Sequence, residues 1–86
     1  MPRFGRVVGL DVYTDDGHDT SVVTILAGSE QGVQKGWHAR FREGTTTKPL
    51  SGGEATIIRI DKRSTIAKVA LSADQVRANK VVEFSP

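Results

Sequence analysis

The chain has no cysteine among its 86 residues. Disulfides, thiolate nucleophiles and cysteine-ligated metal are therefore excluded. It also lacks a long apolar run. The longest, residues 22–27, is interrupted by Thr24, whereas a membrane helix needs about 20 residues. Met1-Pro2-Arg3-Phe4-Gly5 has none of the apolar character of a secretory leader, and the expected compartment is the cytoplasm. Aromatic residues are few, with one Trp, one Tyr and three Phe. A chain this short buries only about 60–65% of its unfolded surface, so a closed architecture suits its modest core. Charge of one sign is also scarce. The net charge of +2 is too small to argue for nucleic acid by itself. Residues 1–43 hold five basic and six acidic side chains, and residues 44–86 hold seven and four. This mild dipole suits self-association or an acidic partner.

What the chain does have is a repeat. Residues 29–41 (SEQGVQKGWHARF) align without a gap on residues 72–84 (SADQVRANKVVEF). Ser29 meets Ser72, Val33 meets Val76, Gly36 meets Asn79, Ala39 meets Val82 and Phe41 meets Phe84. Gly and Asn are the residues that most readily take positive φ, so this pairing predicts the same left-handed stop before a strand in both copies. Ser29 and Ser72 are both expected as helix N-caps.

The remaining segments fit the same plan. Residues 6–13 alternate with strand period through Val8, Leu10 and Val12. Residues 14–20 read as an acidic loop around Asp16-Gly17, a dipeptide suited to tight hairpins. Residues 21–27 form a strand with Val23, Ile25 and Ala27 on one face. Residues 37–42 form another, with Trp37, Ala39 and Phe41 on one side and His38, Arg40 and Arg42 on the other. Proline and glycines make residues 44–52 the linker between half-repeats 5–43 and 53–85. In the second half, residues 54–61 and 65–71 match the first two strands, with Ala67, Val69 and Leu71 inward. Their alignment needs a one-residue slip relative to the helix and third strand. The expected fold is one mainly β domain with two short helices. It is a six-stranded barrel of pseudo-twofold symmetry, made of two strand–strand–helix–strand halves.

That pattern, with the steps Gly32-Val33-Gln34-Lys35-Gly36 and Gln75-Val76-Arg77-Ala78-Asn79, resembles the double-psi β-barrel and its cradle-loop relatives. Similar steps occur in small barrel modules of bacterial envelope and flagellar assembly proteins. The second copy departs by having Gln75 for Gly32 and Asn79 for Gly36. The resemblance implies a range of roles: substrate-recruiting domains of ATPases, molybdopterin-binding domains, polymerase cores, aspartate decarboxylase and plain interaction modules. Fold alone does not choose among them.

Candidate chemistry is sparse. Asp11, Asp15, Asp16 and Asp19 offer oxygen ligands to a divalent cation, but without EF-hand spacing they read better as a solvated hairpin tip. Asp19-Thr20-Ser21 is superficially similar to the aspartic-protease Asp-Thr-Gly, yet the second half supplies no partner carboxylate. Gly28-Ser29 suggests a self-cleaving pyruvoyl bond, but a capping role explains Ser29 better. His18 and His38 lack a third ligand for zinc. No catalytic set, metal or cofactor is expected. A small acid/base enzyme would need Asp19 or Asp61 in a shared cleft. A nucleic-acid surface would use Trp37 with His38, Arg40 and Arg42. The leading expectation is a non-enzymatic interaction or assembly module that binds a protein partner or itself. Its surface would lie around Lys35, Trp37, Arg77 and Lys80.

Overall fold

A computed structural model describes residues 3–86. Six strands form in chain order: β1 (Arg3–Asp15), β2 (His18–Ile25), β3 (His38–Arg42), β4 (Pro49–Ile60), β5 (Thr65–Val69) and β6 (Val81–Ser85). They close a barrel in the order β1-β2-β5-β4-β3-β6, and every neighbouring pair is antiparallel.

The interior follows from strand alternation. Val23, Ile25 and Ala27 come from β2 and the residues after it, Ala39 and Phe41 from β3, Ala67, Val69 and Leu71 from β5 and beyond, and Val82 and Phe84 from β6. Phe41 and Phe84 are fully enclosed. Burying each contributes roughly 2–3 kcal/mol. Two hydroxyls also lie inside. Ser21 Oγ donates to Leu71 O at 2.6 Å, and Thr65 Oγ1 donates to Ala27 O at 2.7 Å.

β1 departs from simple alternation. Its pairing with β2 slips between Val7 and Gly9. Through this bulge Val7 comes opposite the buried Ile25, and Leu10 opposite the buried Val23, so both lie on the core face. Val8 between them is exposed, as is Val12, although it stands opposite the buried Ser21. The segment expected as an acidic loop is mostly strand. Pairing runs to Asp15–His18, leaving a two-residue turn with φ +49° at Asp16 and +78° at Gly17. Asp-Gly suits this turn because both central residues must take positive φ. β2 meets β5 only from Ser21 onward, and β1 meets β6 only as far as Arg6. The tip of the β1–β2 hairpin is therefore a two-stranded arm.

One α-helix forms rather than two. α1 (Ala73–Ala78) is capped by Ser72, whose Oγ accepts from Gln75 N at 3.2 Å while Gln75 Oε1 accepts from Ser72 N at 3.0 Å. The first half makes only a 3-10 turn, Ser29–Gln31, ended by Gly32 at φ +96°. Its N-cap is Gly28 rather than Ser29. Gln31 Oε1 accepts from Gly28 N at 2.8 Å, as Gln75 does at Ser72. Gly28 is required by close approach: a Cβ there would stand 2.2 Å from Asp61 O. Ser29 N and Glu30 N bond to Asp61 O and Lys62 O, each at 2.9 Å, seating this turn on the β4–β5 connection.

The matched left-handed stop is not formed. Gly36 has φ +91°, but Asn79 has φ −136°. Asn79 acts through its side chain. Nδ2 donates to Gln75 O at 2.8 Å, and Oδ1 accepts from Gly44 N at 2.6 Å. The expected linker is also shorter. β4 begins at Pro49, where a missing N–H is tolerated at a strand's first residue. The β3–β4 connection is therefore residues 43–48, braced by Glu43 N to Lys48 O at 2.8 Å.

Candidate functional site

The seven basic and aromatic residues singled out from the sequence do not make one surface. Lys35, Trp37 and His38 line an open groove of about 540 Å³ against β4, together with Ile58 and Arg59. Arg77 and Lys80 line a smaller groove of about 190 Å³ against β1, with Val7, Val8 and Leu10. β1 and β4 are three places apart in the ring whichever way it is counted. The two groups therefore stand on opposite walls.

In the larger groove the half-buried Trp37 packs against the core, as expected of a plug at a barrel end. His38 opens β3 and is exposed, as is Lys35. Among the described residues Lys35 makes no ion pair. Arg59 does, with Asp61 at 2.9 Å. Arg59 and the 57% exposed Ile58 come from the other half of the chain, so chain proximity does not reveal them.

Arg40 is exposed and reaches Glu54 at 3.9 Å, a weak surface pair. Arg42 was expected on the same outward stripe but is structural. Its side chain and that of Glu83 are 15% and 16% exposed and form an ion pair. Its Nη1 also donates to Thr47 O at 2.6 Å. The guanidinium thus ties the β3–β4 connection to β6.

The smaller groove lies where α1 flanks β1. Arg77 sits 3.5 Å from Asp74 across one helical turn, an exposed pair of little strength. Lys80 is exposed, and its carbonyl accepts from Val7 N at 2.9 Å. Beyond Val7 no strand among the described residues pairs with β1 on that side.

The acidic candidates separate. Asp16 and Asp19 are exposed on the arm, and Asp19 accepts from Thr14 Oγ1 at 3.1 Å. The side chain of Asp15 lies outside the described residues. Among those described, no three His, Asp or Glu side chains gather as a metal site would require. β2 and β5 are antiparallel, so the β1–β2 and β4–β5 turns lie at opposite ends of their ladder. Asp19 and Asp61 accordingly share no cleft. No helix among the described residues is long and apolar enough to cross a membrane.

No protein-family model, curated protein or solved structure matches this chain.

Proposed function

We propose that this protein is a non-enzymatic interaction or assembly module whose recognition element is β1. One observation carries the reading. Of the six large exposed hydrophobic residues among those described, five lie on β1 or just past its neighbour β2: Phe4, Val8, Val12, Tyr13 and Leu26. Scattered exposed apolar residues need no explanation, but concentration on one strand does. That strand also ends in an arm paired on one side only, and open strand edges recruit further strands. The test is a photoreactive residue placed at Tyr13, compared with one at exposed Lys68 on β5. Crosslinked protein in the cell is expected from Tyr13 and not from Lys68. Equal products, or none at Tyr13, overturn the reading.

We also read the barrel as a duplicated half with pseudo-twofold symmetry, related to the double-psi and cradle-loop barrels. Its support is an offset of 44 residues between Ser21 and Thr65 and between their acceptors Ala27 and Leu71. On that offset Val23 faces its own counterpart Ala67 across the β2–β5 ladder. For the third strands the offset is 43, and Arg40 faces its counterpart Glu83. Gly32 is the extra residue that accounts for the difference.

A second reading, nucleic-acid binding, draws on the meeting of Lys35, His38 and Arg59 beside Trp37. Basic groups around an aromatic face suit a single strand. Trp37 is the sole tryptophan, so its fluorescence should quench on adding an oligonucleotide at low salt and recover with Lys35→Glu. An unchanged signal ends this reading.

A further inference from the structure

We infer that the partner of β1 is a second copy of this chain, joined as an antiparallel β1–β1 edge pair. The inference rests on the interaction-module reading and gives that module its occupant. Backbone geometry sets the terms. Asp15 and His18 close a two-residue turn, so they form a hydrogen-bonded pair. Alternation then turns the backbone groups of Tyr13 and Asp11 toward β2, and those of Leu10, Val12 and Thr14 toward the open edge.

Two neighbouring twofold registers let these outward groups meet their copies. In one, Asp11 faces Asp11 of the other protomer, and like charges directly opposite are destabilising. In the other, Val12 faces Val12, and Leu10 faces Thr14. This second register covers Val12, which is 42% exposed in the single chain. It also brings Asp16 of one protomer opposite Val8 of the other, at the groove that Arg77 and Lys80 line. Asp19 sits on the same arm tip. Each acidic arm thereby reaches the basic groove of its neighbour, and the contact occurs twice because the interface is isologous. A two-stranded ribbon is marginal in water. In this pairing each arm becomes part of a four-stranded sheet.

Sedimentation equilibrium over a wide concentration range, at low and high salt, tests the inference. A dimer is expected, weakened by salt. Reversing the arm (Asp16→Lys with Asp19→Lys) should weaken association about tenfold, as should reversing the groove (Arg77→Glu with Lys80→Glu). All four changes together should restore it. Val12→Pro should abolish the dimer while leaving the monomer folded, because the lost N–H points to the open edge. A monomer at every concentration, or reversals that do not compensate, overturns the inference. If the chain is monomeric while Tyr13 crosslinks a different protein, the second copy is ruled out and the module reading stands. If both experiments are negative, both readings fall.

Discussion

Ser21 and Thr65 secure opposite ends of the β2–β5 ladder in the same way. Each buried hydroxyl donates to a carbonyl of the chain leaving the other strand, Leu71 O for Ser21 and Ala27 O for Thr65. These carbonyls lie where regular pairing stops, so the ladder itself does not satisfy them. A buried acceptor without a donor is costly. Ser21→Ala and Thr65→Val should each lower stability by about 1–3 kcal/mol in urea unfolding. Losses below about 0.5 kcal/mol would mean the carbonyls find other donors.

The two serines that look alike in the sequence should behave differently. Ser72→Ala removes a working N-cap and should cost about 1 kcal/mol. Ser29 makes no capping bond through its side chain, and the residue is exposed. Ser29→Ala should stay within about 0.5 kcal/mol of the parent. Thermal or urea unfolding of the two variants side by side decides it.

Gly28 and Gly17 should separate two kinds of glycine requirement. Gly28→Ala places a methyl 2.2 Å from Asp61 O and 2.7 Å from Ser64 N, both backbone atoms. The turn must detach from the β4–β5 connection, and a loss above about 2 kcal/mol is expected. Gly17 has open space around it, and its positive φ is the only obstacle. Gly17→Ala should cost about 1 kcal/mol. Amide exchange would locate the damage: Ser29 and Glu30 should lose protection in the first variant and keep it in the second.

Arg42 and Glu83 should show strong coupling. Either Arg42→Met or Glu83→Leu strands a mostly buried charge and should cost roughly 2–3 kcal/mol. The double variant should lose less than the sum of the two, by about 1 kcal/mol or more. Additive losses would reduce the pair to an ordinary surface contact.

The legible parts of the fold are those in which one strand faces the core. Val23, Ile25, Ala27, Ala39, Phe41, Ala67, Val69 and Leu71 all alternate in the sequence, and all are buried. The arm was not legible, because Thr14, His18, Asp19 and Thr20 have no face to bury and carry no apolar period. Asn79 misled because its tolerance of positive φ is a backbone property, whereas the structure uses its amide. Ser29 misled because a gapless alignment absorbs the extra Gly32 silently. At the candidate sites, Lys35, Trp37 and His38 share a groove because they are neighbours in the chain. The surroundings of Arg59 and Arg42 were not legible for one reason: they come from the distant half, Glu83 lying 41 residues beyond Arg42.

Arg3 is the ladder partner of Phe84, so the first and last strands lie side by side and complete the ring. The strand neighbours stay the same if β4–β6 are threaded before β1–β3. A circular permutant, sealed between the old ends and opened within residues 43–48, should therefore rebuild the same barrel, with β4 as its first strand and β3 as its last.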